Sequence, residues 1–484
     1  MKKLYFLFFI IVMMASCSVS PDNVQEKNEQ APMYPDYTDI TIPVNIAPLN
    51  FIMRNDPQRV CVYVNDKEFY NEAGARVEFD MDRWKNLLEE NVGKKLNVRI
   101  DALYDNGWEE YKAFTWDVSG DKVDPYLTYR LIEPDYEVFN NLVLQERCVE
   151  NFETKNFSNY TIVGNKCMNC HTYADQDPGT SMFYVRGEGG GAILNMNGEL
   201  QKLNLKREDW ISSSVYFGFS PSKQHIVFST NKIIPAFHSS GSNRLEVFDT
   251  ESDIYVANLA KHKIIESPLL CDSTKLETFP TFSPDGKYIY YCSSEGFAND
   301  TVSLSQRLHK LQYSLCRIGF DESTSQFGTE VDTIYNARTE GKSVCHPRIS
   351  PDGRFLVFTL ADYGTFPIWH READLAMMDL TNGKLLNCKI VNSDMSDTYH
   401  SWSSNSRWLV FASKRDDGLY GKPYYTHISK DGTCTKPFAL PQEYATFYDN
   451  CLKSFNAPEQ GKGPLPFTTH DVKKAMGKQA IEFR

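Results

Sequence analysis

The chain has 484 residues and a net charge of −12, with 51 Lys and Arg set against 63 Asp and Glu. It is too long for one ordinary core, and 41% hydrophobic with 13% aromatic residues is the composition of a folded chain rather than a disordered one. An acidic chain with no long Lys/Arg run excludes nucleic acid as its main partner, and its 27 Tyr and 30 Phe favour strands over helices.

The N-terminus reads as an export signal. Lys2 and Lys3 precede an apolar run from Leu4 to Ala15, and small residues then lead into Cys17. That run is too short for a membrane span. Small residues before a cysteine resemble the bacterial lipobox, which implies a signal peptide over 1–17, lipidation of Cys17 and a protein held on the cell envelope (outer membrane, periplasmic or surface face). A plain signal with an incidental cysteine is the alternative. Residues 18–36 are polar and Pro-containing, the composition of a flexible tether. Export frames the 12 cysteines, whose irregular spacing is no small-domain disulfide framework. Cys292, within YIYYCSS, reads as a buried small hydrophobe.

Residues 37–120 predict a small β-sandwich of the immunoglobulin-like sort. TDITIPV, LNFIMR, RVCVYVND and ARVEFDM show β-branched and aromatic patterning. Asp105-Asn106-Gly107 marks a hairpin turn, and one short helix starts near Asp82, which can cap it. Residues 121–160 are mixed and extended, and read as a linker that contributes to closure of the next domain.

Cys167-Met168-Asn169-Cys170-His171 follows. Two thiols at i and i+3 with a histidine directly after the second form the attachment pattern of c-type haem, in which Cys167 and Cys170 add to the vinyl groups and His171 ligates iron. The sequence around it is strand and Gly-rich loop, not the helical setting of a cytochrome. A disulfide or redox pair of Cys167 with Cys170 is a second reading, and a metal site using Cys167, Cys170, His171 and another His a third.

The strongest fold signal is an internal repeat. FSPSKQHIVFST, FSPDGKYIYYCS, ISPDGRFLVFTL and WSSNSRWLVFAS each read as strand, tight turn and apolar strand; their Ser positions (220, 283, 350 and 403) lie 63, 67 and 53 residues apart. Each is followed by a third strand: DIYVANL, SLCRIGF, DLAMMDL and YYTHIS. Such repeats predict a β-propeller. A further blade fits from His171, with SMFYVRG as its second strand and the glycines of Arg186-Gly187-Glu188-Gly189-Gly190-Gly191 permitting a tight turn. Segments near 129–163 and 435–456 complete a sixth. The propeller then spans 161–456, with 457–484 as a tail. Lined up, the repeats place His171 opposite His400, with His346 one residue out of phase. These three of the ten histidines are expected at one mouth of the channel, where they suit iron, another metal or proton transfer. Trp369-His370-Arg371-Glu372-Ala373-Asp374 reads as a charge-paired loop, and Lys414-Arg415-Asp416-Asp417-Gly418 as a solvated turn.

The SPDG-strand units resemble those of TolB-type six-bladed propellers. With IAPLNF, CMNCH, RGEGGGAIL, IWHREADL and YHSWSSNSRW, the whole chain is similar to a family of exported Bacteroidetes lipoproteins that carry the label of cytochrome c biosynthesis or TolB-like proteins. That resemblance implies an all-β fold, a sandwich followed by a six-bladed propeller, on the envelope. Three functions follow as expectations. One is a haem-c-bearing propeller in electron transfer or as a redox-linked scaffold, with His346 or His400 as a distal ligand. The second is a non-catalytic module that docks an envelope protein or a glycan. The third is a metal-dependent lyase using the channel-mouth histidines. Whether the chain is an enzyme stays open.

Overall fold

A computed structural model describes residues 21–134, 141–207, 210, 212–237, 245–296 and 308–484, with the side chains of Cys170, 235–237 and 245–246 also outside the description. Cys17 and the signal segment lie outside the described residues.

The N-terminal module consists of a seven-stranded and a three-stranded sheet with one helix. The helix, Met81–Glu90, is capped by Asp80 rather than Asp82: the Asp80 carboxylate accepts the Arg83 N–H at 2.8 Å. It buries Trp84 and Leu88, and Trp84 stacks on Phe79 with centroids 5.5 Å apart. Both buried indoles donate to backbone carbonyls, Trp84 to Ile46 at 2.9 Å and Trp116 to Tyr37 at 2.8 Å, so neither ring strands its N–H. The expected tether is partly structured. Gln25–Glu26 pairs with Glu109 and Glu110, and Met33–Tyr34 pairs with Met53 and Ile52, because Ala31 and Met33 have apolar surface to bury.

Six four-stranded units follow around a central axis, the architecture of a six-bladed β-propeller. The inner strands of blades 1 to 5 are Met168–Ala174, Ser214–Phe219, Lys275–Phe282, Ser343–Ile349 and Asp397–Trp402. The inner strand of blade 6 is Ser454–Gly461, close to the C-terminus. It pairs with Tyr126–Ile132, which leads outward to Val143–Cys148 and Thr154–Asn159. The linker expected to contribute to closure thus supplies three strands of blade 6, and the fourth begins in the expected 435–456 segment and runs on into the expected tail. Closing the ring with both ends of the chain leaves no free edge at the seam. The rest of the tail is also ordered. Thr469–Met476, held by a Thr468/Asp471 capping box, buries Val472 and Ala475 against Phe157, Phe183 and Phe467, and Ile481–Glu482 adds to the outer edge of blade 1.

Turn chemistry explains the repeat. In blades 3, 4 and 5 the Ser hydroxyl (Ser283, Ser350, Ser403) donates to the side chain two residues on and accepts the N–H five residues on, at 2.5–3.0 Å. Gly286 and Gly353 take the left-handed turn position at φ 71° and 73°. Blade 2 keeps the second bond, from His225 N–H to Ser220 Oγ at 3.2 Å.

The inner strands share a feature that the repeat does not advertise. Each carries a β-bulge in which two residues oppose one on the second strand. The pairs are 170–171, 216–217, 279–280, 346–347, 399–400 and 457–458. The residues opposite them are all aromatic and buried: Phe183, Phe228, Tyr291, Phe358, Phe411 and Tyr129. The first bulge residue is left-handed at Tyr216, Phe279, His346, Tyr399 and Ala457, with φ between 49° and 53°. A non-glycine residue there costs roughly 1–2 kcal/mol.

The two modules share one core, in which Phe51, Trp84 and Trp116 join Trp408, Phe411 and Phe455. Polar contacts fix the junction. Asn50 donates to the Gln442 and Glu443 carbonyls, Arg54 pairs with Asp449 at 2.7 Å, and Tyr34 Oη lies 2.7 Å from Lys422 Nζ and 3.0 Å from Asp416. The turn at Asp416 is therefore not the solvated hairpin expected: its carboxylate also accepts from Tyr424 at 2.7 Å, and Lys414 lies buried over the Trp369 ring. Cys388 and Cys434 form a disulfide between blades 4 and 5, a pairing the irregular cysteine spacing did not reveal.

Candidate functional site

The bulges converge on a cavity of about 700 Å³ at one mouth of the channel. All five left-handed bulge residues line it. Strained backbone concentrated at one cavity is the pattern of a site whose surroundings over-determine its geometry.

The histidines meet here, together with Cys167. The register makes His171 and His400 equivalent, as second residues of the bulges in blades 1 and 5, and puts His346 one position earlier in blade 4. Cys170 holds the first bulge position of blade 1, and its side chain lies outside the described residues. His171 is buried, and its Nε2 has no hydrogen-bond partner. Burial, aided by the nearby Arg130 charge, lowers its pKa to about 4. His400 donates Nε2–H to the Val357 carbonyl at 2.9 Å and leaves Nδ1 unpartnered; burial lowers its pKa to about 3. Burial also holds His346 well below the ordinary histidine value, with His400 and Arg348 adding to the effect. All three imidazoles are therefore neutral near pH 7, and each offers an unsatisfied ring nitrogen.

Cations dominate the rest of the wall. Among the described residues, Arg130, Lys166, Arg186 and Arg348 line the cavity against one carboxylate, Glu459. Arg130 is fixed by bonds to the Met168 carbonyl at 3.2 Å and to Asn456 Oδ1 at 3.0 Å, with its Nε buried and unpaired. Arg186 grips Asn169: once the amide oxygen is turned toward it, the guanidinium donates twice, at 2.7 and 3.0 Å. Arg348 makes no side-chain hydrogen bond or ion pair with the described residues. Glu459 is engaged elsewhere, accepting from Thr172 Oγ1 and Tyr173 N–H, both at 3.1 Å; burial raises its pKa, and Arg348 opposes the rise. The cavity is thus electropositive, walled by apolar rings and short of acidic partners.

The repeat alignment located the histidines but not the arginines. Arg186 stands in the Gly-rich motif read only as a turn: Gly190 is needed there because a Cβ would fall 2.2 Å from the Val185 carbonyl. Arg348 lies two residues after His346 on the same inner strand, a signal present in the repeat itself. Among the described residues, no group of three or more His, Cys, Asp or Glu is arranged to hold a metal ion. His370, in the loop expected to be charge-paired, has Nδ1 3.0 Å from Glu372 and lies outside the cavity lining.

No family model and no curated protein matches this chain. Among solved structures it is similar to an oligogalacturonate lyase in complex with manganese, at 12% identity and TM-score 0.35, over 63% of this chain and 70% of the other. It is also similar to prolyl oligopeptidase B from Galerina marginata, at 12% identity and TM-score 0.37, of which it spans 44%. A DUF4784 family protein from Bacteroides caccae is similar at 8% identity and TM-score 0.28, over 74% of this chain and 94% of the other. At such identities and scores, these likenesses say nothing about activity.

Proposed function

We propose that this chain is an exported, envelope-anchored binding propeller whose central cavity holds a small organic anion. One observation carries the reading: among the described residues, four cationic side chains and a single, already engaged carboxylate line a cavity of about 700 Å³. A cavity of that size suits a metabolite-sized ligand, and uncompensated cations in a partly desolvated site favour negative charge. Export is supported by the basic-apolar start and by the Cys388–Cys434 disulfide, which belongs in an oxidising compartment. Anchoring through Cys17 and docking to an envelope protein partner complete the proposal. Titration calorimetry with citrate tests it. The expected result is binding of one citrate per chain, weakened by added salt and lost in the Arg130→Gln/Arg186→Gln variant. Absence of binding to the native chain, or unchanged binding to the variant, overturns the reading.

A covalently held haem c is the second reading, favoured because Cys167 and His171 line this cavity and His171 Nε2 has no partner. Cys167 and Cys170 would hold such a group and His171 would face its iron; the group would supply one-electron transfer, and Arg130 and Arg186 would pair its carboxylates. Production alongside haem-maturation machinery, followed by a haemochrome spectrum, tests it. A spectrum lost in Cys167→Ser supports the reading, and no spectrum from the native chain rejects it.

A further inference from the structure

The sixfold pattern breaks on one side of the cavity, and the break divides the wall in two. At the first bulge position, blades 2 to 5 present Tyr216, Phe279, His346 and Tyr399. These rings form a continuous arc, with centroids 4.4 Å apart for Tyr216–Phe279, 4.1 Å for Phe279–His346 and 4.8 Å for His346–Tyr399, each ring plane inclined to the next by 61°, 47° and 55° in turn. Blades 6 and 1 place Ala457 and Cys170 at that position, so no aromatic ring continues the arc across the seam where the chain closes on itself. Of the four lining cations, Arg130, Lys166 and Arg186 belong to that seam, two of them pinned by Asn456 and Asn169, and Arg348 alone lies on the side of the arc, in blade 4. Blade 1 also contributes the buried, unpartnered Nε2 of His171.

An aromatic arc facing a cationic seam selects a ligand with two matching sides. We infer that the ligand is a planar organic anion, its ring packed against the inclined rings of blades 2 to 5 and its charged group held at the seam of blades 6 and 1. This rests on the anion reading above and narrows it to a chemical class. The left-handed ring positions fit the same purpose: a bulge turns the side chain out of the ladder alternation, and the sheet beneath holds it there. Packing against preset rings and pairing with preset guanidinium groups cost little reorganisation on binding.

Three probes separate the parts: naphthalenesulfonate has both sides, methanesulfonate has the anion alone, and naphthol has the ring alone. The expected order is naphthalenesulfonate tighter than either of the others by about tenfold or more. Tyr399→Asn removes a ring while keeping a residue that tolerates the left-handed backbone. It should weaken naphthalenesulfonate severalfold and leave methanesulfonate unchanged. Arg186→Gln should weaken both sulfonates and spare naphthol. Phe279→Asn repeats the ring test at a second position, and only variants with a native-like melting transition are scored. If methanesulfonate binds as tightly as naphthalenesulfonate, the planar class is wrong while anion binding stands. If naphthol binds as tightly as naphthalenesulfonate, or no sulfonate binds, the anion reading fails with it.

Discussion

His171 and His400 occupy the same bulge position in the inner strands of blades 1 and 5, and each keeps one ring nitrogen without a hydrogen-bond partner. Their shared cause is the ring of bulges, which turns side chains out of the sheet alternation and into one cavity. Their shared consequence is neutrality, because burial beside arginines disfavours the imidazolium form.

That neutrality sets an acid limit on stability. His171 titrates near 6.5 when unfolded and about 4 when folded, so below about 6.5 the unfolded chain takes up a proton that the folded chain refuses. Its contribution is fully present above that point and is lost as pH falls toward 4. The loss for His171 alone is about 2 kcal/mol at about pH 5. Melting curves should show a smaller midpoint drop between about pH 7 and pH 5 in His171→Asn than in the native chain. Equal drops would show that His171 titrates normally.

Glu277 gives the opposite slope. It is 1% exposed, its Oε2 has no hydrogen-bond partner, and burial, with Asp253 nearby, raises its pKa to about 9. A carboxyl raised above its unfolded value stabilises at low pH, and that contribution is lost as pH rises from about 4.5 through 9. Glu277→Gln should therefore stabilise the chain at about pH 8 by roughly 1–3 kcal/mol, read as a higher melting midpoint, and change it little at about pH 4. A pH-independent effect would contradict this.

The disulfide predicts a redox effect on stability. Cys388 and Cys434 are 46 residues apart and join blades 4 and 5, so opening the bond frees a long loop in the unfolded chain. Reductant, or Cys388→Ser, should cost about 2–4 kcal/mol in denaturant unfolding. An unchanged transition under reductant would show that the pair does not bond.

Ring closure by Ser454–Gly461 predicts that the C-terminus is indispensable. Gln460 is fully buried and lies between the Ser401 and Trp408 carbonyls, 3.4 Å from each. Removing residues 454–484 should abolish cooperative unfolding, whereas removing only 481–484 should leave it intact. A cooperative transition in the longer deletion would mean that the ring holds without its closing strand.

Four blades were legible because their turns are local chemistry: a Ser hydroxyl in each, joined in blades 3 and 4 by an Asp carboxylate and a left-handed Gly, the left-handed position being Lys223 in blade 2 and Ser406 in blade 5. Blade 6 was legible only as two segments, near 129–163 and 435–456, because its first and second strands, Ser454–Gly461 and Tyr126–Ile132, come from opposite ends of the chain and no turn joins them. Its signature was nonetheless present. Tyr129 in LTYRL is the aromatic residue opposite the bulge, like Phe228 in HIVFST and Phe358 in RFLVFTL. The histidines of the cavity were legible from register alone. Arg348 shared that register, but Arg130 and Arg186 were not legible, since Arg130 reaches the cavity from a second strand and Arg186 from a Gly-rich turn, where local patterning carries no sign of convergence.

A selenate soak tests most directly whether the channel mouth is an anion site, because selenate is a dianion that anomalous scattering locates. The account predicts the strongest anomalous peak inside the cavity, within hydrogen-bond reach of Arg348 or of Arg186 and Arg130. Selenate found only on the outer surface, with the cavity unoccupied, would contradict it.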